Sequence, residues 1–344
     1  MKPMKTLSYQ VTFLTPAFLG NAEQSGQWRT PPFKHLLREW WRVAYAADHK
    51  FEINMAAMRH EEGKLFGHAW LDDDYDQRGQ KVAARKSLVR MRLEHPSGDH
   101  DKAWLVGTQR GVAPLSDGLE TSYAWFGLIK RGRGQPDRTA IKAADGNNAT
   151  ANETTRLLHI AVPDGFAPKI LEIMQLIDAF GLLGSRSRGG WGALHVEGID
   201  RMRREAMSRY TRPLDKCLEQ DWAMSLARND DGLCVWQSNS SFDAWHKAMR
   251  VVAIERRLVR SKLKGINGRD LRPALGFVTP SRMPSPLRWK IIPSDNGKLG
   301  IRVFALPHKL PAENGKSIQA DLLRRAWRVV CNTLDQSQHV TRLG

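Results

Sequence analysis

The segment Gly181–Gly192 reads GLLGSRSRGGWG. An apolar run leads into it at helical spacing, through Ile170, Leu171, Ile173, Met174, Leu176, Ile177 and Phe180. A strand-like run, Ala193-Leu194-His195-Val196-Glu197, leads out of it. Between the two lie Gly181, Gly184, Gly189, Gly190 and Gly192, together with Arg186 and Arg188. Glycine admits positive φ and close approach by a backbone or a ligand. Exposed N–H groups beside arginine form an anion site, and a phosphodiester suits it. A tight helix-to-strand turn with two solvated arginines accounts for the same residues. The loop itself contains no Gly-Lys-Ser/Thr, so it is not a Walker loop. A dinucleotide fingerprint needs strand before and helix after, the reverse of the order here.

Upstream, Leu7, Tyr9, Val11 and Phe13 alternate with polar residues and predict a half-buried strand that Thr15-Pro16 ends. Residues 17–30 read as a loop. Thr30 is the expected N-cap of a helix with Pro31 at its first position. In that helix Phe33, Leu36, Leu37, Trp40, Trp41 and Ala44 form an apolar stripe, and Lys34, Arg38 and Arg42 a basic ridge on its flank. Strands are expected over Lys86–Leu93, Ala103–Val106, Ser122–Ile129 and Arg156–Val162. Residues 130–153 read as a long polar excursion. Through Gly198 the order is strand, helix, strands, helix, strand, a βαββαβ ferredoxin-like (RRM-like) pattern with a long insertion. Arg201–Arg212 begins a crossing to a second half. That half offers a strand at Leu233–Trp236 and a helix over Asp243–Arg260, with Trp245, Ala248, Met249, Val252 and Leu258 inward. Strands follow at Leu287–Ile292 and Ile301–Leu306, then a helix over Ile318–Leu334. Only His339–Leu343 remains for a closing strand.

The chain has 344 residues, enough for two domains, and 53 basic against 36 acidic residues give it a net charge of +17. A fold requires no such excess, so it speaks about partners, nucleic acid first. No apolar run is long enough for a membrane span, and no basic amphipathic helix stands apart from the core. The N-terminal segment is too short and too alternating for a signal peptide. Cys217, Cys234 and Cys331 are widely scattered, which argues against a disulfide framework and suits a reducing cytoplasm. The densest charge run is Arg250, Arg256, Arg257, Arg260, Lys262, Lys264, Arg269 and Arg272, opposed by Glu255 and Asp270. It reads as a solvated face or as a contact to an RNA backbone. Arg282 sits in a stiff, proline-bounded segment just before Arg288.

Chemistry is harder to find. His100-Asp101 lacks the further ligands of a metal phosphohydrolase, and His60-Glu61-Glu62 lacks the second histidine of a zinc protease. Asp72, Asp73, Asp74 and Asp76 read as a solvated acidic loop rather than a cation site. His195, just after the Gly-rich loop, is the best general base for a ribonuclease, or else an ordinary core or edge histidine. No catalytic set is recognisable.

Four segments together carry a resemblance: Val11–Tyr45, Glu62–Gly67 (EGKLFG), Gly181–Leu194 and Leu275–Ile291. They resemble the first-subunit family of the type III-B CRISPR Cmr effector, within the RAMP superfamily of repeat-associated proteins. The resemblance implies an α+β fold of two tandem ferredoxin-like domains with long insertions, here 1–205 with the Gly-rich loop and 206–344. It implies a noncatalytic subunit without cofactor or metal. Such a subunit holds the 3′ part of a guide RNA near bound target RNA, beside other RAMP subunits. The alternative within the superfamily is an endoribonuclease that processes CRISPR RNA. The expected RNA contacts are Arg29, Lys34, Arg38, Trp41, Arg42, Gly184, Ser185, Arg186, Ser187, Arg188, Gly189, Gly190, Arg256, Arg257, Arg260, Lys262 and Arg282. A guide already supplies sequence by base pairing, so backbone and shape contacts suffice.

Overall fold

The computed structural model describes residues 3–20, 22, 25–69, 71–94, 104–105, 123–124, 128, 139–144, 151–266, 268–277, 283–310 and 319–343. They form a mixed α+β fold with two four-stranded antiparallel sheets. The first holds β1 (Met4–Phe13), β2 (Arg90–Leu93), β3 (Thr155–Pro163) and β4 (Leu194–Val196), in the order β2-β3-β1-β4. The second holds β5 (Val235–Ser238), β6 (Leu287–Pro293), β7 (Leu299–Ala305) and β8 (Val340–Arg342), in the order β6-β7-β5-β8. Each sheet thus runs second, third, first, fourth. Helices α1 (Thr30–Asp48) and α2 (Met55–Phe66) lie between β1 and β2, and α3 (Ala167–Phe180) between β3 and β4. In the second half α4 (Trp245–Lys262) and α5 (Ala320–Asp335) take the equivalent places. Two smaller pairings accompany them: Trp104–Leu105 with Thr139–Ala140, and Thr211–Pro213, Leu226–Asn229 and Gly232–Leu233 together.

Local sequence explains the main elements. Tyr9, Val11 and Phe13 face the core while Ser8 and Gln10 stay exposed, because successive strand residues point to opposite faces. In α1 the expected stripe is buried. Its start differs: Arg29 occupies the cap position, Thr30 is already helical, and no side chain caps the first turn. Pro31 and Pro32 are tolerated there because the first-turn N–H groups have no intrahelical partner. Leu258 also departs from expectation, being 38% exposed on α4. Residues 86–89 precede β2 rather than extend it. Tyr123 and Ala124 are helical and Leu128 lies in a turn, while the rest of that expected strand, like most of the excursion and His100-Asp101, lies outside the described residues. The closing strand exists: Thr341 pairs with Gln237.

The halves share one core. Trp40 on α1 is fully buried and stacks on Phe180 at 5.5 Å, and its ring lies 6.4 Å from Phe304 on β7. Large aromatics of this kind contribute on the order of 2–3 kcal/mol each by burial. The last turn of α3 is tied down across the same boundary. Lys290 Nζ on β6 donates to the carbonyl oxygens of Ile177 (2.9 Å) and Asp178 (2.5 Å), and Arg302 Nη1 on β7 to that of Ala179 (3.2 Å). The helix itself has no basic residue in its last turn. The second sheet therefore supplies the N–H donors that the carbonyls of this last turn require.

Candidate nucleic-acid interface

The Gly-rich loop leaves α3 and is anchored on both halves. Toward the first half, Ser185 N–H donates to Phe18 O (3.1 Å) and Gly192 N–H to Pro16 O (3.0 Å). Thr15 Oγ1 donates to Gly190 O (2.7 Å) and accepts from Ala193 N–H (2.9 Å). Toward the second half, Trp289 N–H donates to Arg188 O (3.1 Å) and Arg188 Nη1 to Ser285 O (2.8 Å). Gly189 and Gly190 N–H close turns on Arg186 O and Ser187 O, both at 2.9 Å. These bonds correct one expectation: the N–H groups of Ser185, Gly189, Gly190 and Gly192 are spent inside the protein. At Gly189 a Cβ would sit 2.4 Å from Arg256 Nη1, so a glycine is needed for that guanidinium to lie against the loop.

Beside the loop opens a cleft of about 1250 Å³, bounded by residues of both halves. Its walls carry Arg29, Arg186, Arg188, Arg256, Arg260, Arg272 and Arg288, with His35, Tyr123 and an apolar floor including Phe18, Leu36 and Phe277. Among the described residues that line it, the only carboxylates are Glu39 and Asp270. Both are paired with arginine, Glu39 to Arg288 (2.5 Å) and Asp270 to Arg272 (2.7 Å). Burial pushes the Glu39 carboxyl up, but the Arg288 guanidinium beside it, with Arg188 and His35 adding, holds it below its ordinary value. Arg256 lies 5.2 Å from the centre of the Tyr123 ring and has no carboxylate partner among the described residues. Burial and the neighbouring Arg186 and Arg260 weaken its hold on the proton. Such a wall is strongly positive and large enough for several nucleotides, since drug-sized ligands need roughly 300–1,000 Å³.

The structure brings together Arg29, the 184–189 segment, Arg256 and Arg260 out of the expected contacts. Gly190 lies behind the loop against Met249. Three expected contacts lie away from the cleft. Trp41 is 4% exposed and packs on Tyr45 and Phe66, which leaves no ring face for a base. Arg38 and Arg42 converge on the buried Glu62 carboxylate at 2.7 and 2.8 Å, and Arg42 also lies over the Trp222 ring. Their ridge holds α1 to α2 rather than facing the cleft. Lys34 is half-buried near Arg38, while Arg257 and Lys262 are exposed on α4, and none of the three lines the cleft. Arg282 lies outside the described residues.

Glu39, His35, Tyr123 and Arg288 line the cleft although they were not among the expected contacts. The i, i+4 spacing of His35 and Glu39, which puts both on the Pro31-Pro32 side of α1, was the available signal. His195 is not in the cleft. Its Nδ1 lies 2.7 Å from Asp178 Oδ1, which also accepts Val196 N–H (2.9 Å), so it pins β4 to the end of α3. Asp74 is fully buried rather than solvated, bonded to His68 and Arg85 at 2.6 and 2.7 Å. No group of three potential metal-ligating side chains occurs, and no helix is long and apolar enough to cross a membrane, among the described residues.

Comparison with solved structures gives matches along nearly the whole chain. Cmr1 from Pyrococcus furiosus, in its apo form, is 15% identical, with 95% of this chain and 96% of that chain covered and a TM-score of 0.47. A chain of the type III-B Cmr-beta complex bound to cognate target RNA is 11% identical, with 96% and 100% covered and a TM-score of 0.51. The latter likeness is one of fold. Curated proteins give no match. The family description "RAMP superfamily" matches residues 10–195, from β1 through the Gly-rich loop into β4. More than half the chain, including the segment that forms one wall of the arginine-rich cleft, follows that pattern, and the protein belongs to the RAMP superfamily.

Proposed function

We propose that this chain is a noncatalytic RNA-binding subunit of a type III CRISPR ribonucleoprotein. In this reading it holds the 3′ part of the guide RNA and the adjoining target beside other RAMP subunits. Residues 1–205 and 206–344 are two ferredoxin-like units in tandem, a reading supported by the identical strand order of the two sheets. The observation that carries the function is the cleft between them. Its arginines outnumber its two carboxylates, both of which are already paired, and Arg256 has no acid partner among the described residues. Phosphate contacts of this kind are sequence-independent and strongly salt-dependent.

Fluorescence anisotropy with single-stranded RNA of unrelated sequences tests the proposal. Three to five phosphates on the arginines give a slope of log K against log salt of roughly −2 to −3.5. A flat salt response overturns backbone binding. Purification of the chain from its host, followed by sequencing of bound RNA, separates guide RNA from bulk RNA. The endoribonuclease alternative needs a general base at the bound strand. His195 is committed to Asp178 away from the cleft, which leaves His35 as the histidine on its wall. RNA incubated with the pure chain without metal is expected to stay intact. Cleavage lost on His35→Ala establishes the alternative.

A further inference from the structure

Glu39 is an unexpected group in a phosphate cleft. An ionised carboxylate repels phosphate, so a strand lying on the surrounding arginines must turn something else toward it. Its Oε1 accepts from Arg288 Nη2 at 2.5 Å, while its other oxygen accepts no hydrogen bond from the described residues. The side chain is 26% exposed on the cleft wall, whereas Arg288 is only 3% exposed. Arg288 therefore steadies the carboxylate from behind and leaves an acceptor facing the ligand. A nucleic-acid strand offers two kinds of donor, base N–H groups and the ribose hydroxyl. Base donors vary with sequence and are used in pairing. The 2′-hydroxyl recurs at every nucleotide, beside the phosphates that the arginines would hold, and it distinguishes RNA from DNA.

We propose that Glu39 accepts a hydrogen bond from a ribose 2′-hydroxyl of the bound strand and so makes this cleft select RNA over strands that lack that donor. Glu39 is then a specificity-determining residue, and the inference rests on the RNA-binding reading above. It explains a carboxylate where affinity alone calls for none. Replacing it removes a repulsive charge together with that hydrogen bond, so binding of strands without the hydroxyl rises or holds while discrimination falls.

The experiment compares single-stranded RNA with a 2′-fluoro strand of the same sequence at fixed salt, by anisotropy. Fluorine keeps the ribose-like pucker but cannot donate. The wild-type chain is expected to bind RNA about tenfold more tightly or better, the effect of one charge-assisted hydrogen bond. In Glu39→Ala the ratio falls toward one while the 2′-fluoro strand binds at least as well as before. If that variant melts early because Arg288 is left uncompensated, Glu39→Gln, of the same shape but uncharged, decides by a reduced ratio. Equal binding of the two strands by the wild type overturns the inference, as does an unchanged ratio in a folded variant. Failure of both strands to bind overturns the RNA-binding reading itself.

Discussion

The backbone N–H of Trp289 donates to the carbonyl oxygen of Arg188 at 3.1 Å. This bond joins the Gly-rich loop of the first half to the edge strand β6 of the second. The loop is thus a fixed wall of the cleft, and the Arg188 side chain is further held by its bond to Ser285 O (2.8 Å). Pre-positioned cations lose less side-chain freedom on binding.

Arg186 occupies the left-handed backbone region, at φ +58°. A side chain there costs roughly 1–2 kcal/mol, which glycine avoids. Arg186→Gly is expected to leave stability unchanged or raise it by up to about 1 kcal/mol, because glycine's greater unfolded-state freedom offsets part of the gain. RNA affinity is expected to fall in the same variant. Thermal melting alongside RNA titration checks both, and a large drop in melting temperature refutes the assignment of Arg186 to binding rather than folding.

Arg256 carries a charge with little compensation from the protein. Methionine keeps much of its length without the charge. Arg256→Met should melt higher by the equivalent of about 1 kcal/mol and bind RNA more weakly with a shallower salt slope. If stability drops sharply instead, the Tyr123 contact is structural and the charge is not held for a ligand.

Gly190 has φ +99° and a Cβ there would meet Met249 Sδ at 2.7 Å. Gly190→Val combines a forbidden backbone conformation with overpacking, a loss of at least about 3 kcal/mol. Adding Met249→Ala removes the clash but not the backbone strain, so it is expected to restore little. Full rescue in denaturant titrations shows that space, not φ, selects glycine.

Burial pushes the Lys290 ammonium down to about 7 from its ordinary 10.5, against the opposing pull of the Asp178 carboxylate. Below pH 7 both folded and unfolded chains carry the proton. Between the two values only the unfolded chain does, so stability rises with pH across that window, by up to about 1.4 kcal/mol per pH unit. Lys290→Met should flatten this rise while losing the bonds to Ile177 and Asp178. Urea unfolding of both proteins from pH 6 to 10 measures the difference, and parallel profiles exclude Lys290 as its source.

Short-range order was legible from residue spacing alone. The alternation of Tyr9, Val11 and Phe13 decided β1, and the stripe from Phe33 to Ala44 decided which side of α1 is buried. The same stripe already contained Trp41, so its burial followed from the pattern, and placing it among the RNA contacts set function above periodicity. The Gly-rich segment and the net charge pointed to an anion partner because neither depends on distant contacts. The cleft itself is a product of docking. Glu39 meets Arg288 across 249 positions of the chain, and Lys290 reaches the end of α3 across 112 and 113. Glu62, which the sequence did not mark as a partner for any arginine, pairs with Arg38 and Arg42 away from the cleft. Spacing along a chain encodes the faces of a helix or strand, since those repeat every few residues. Which arginine finds a carboxylate and which is left for a ligand depends on how two separately patterned halves pack, and that pairing was decided in three dimensions.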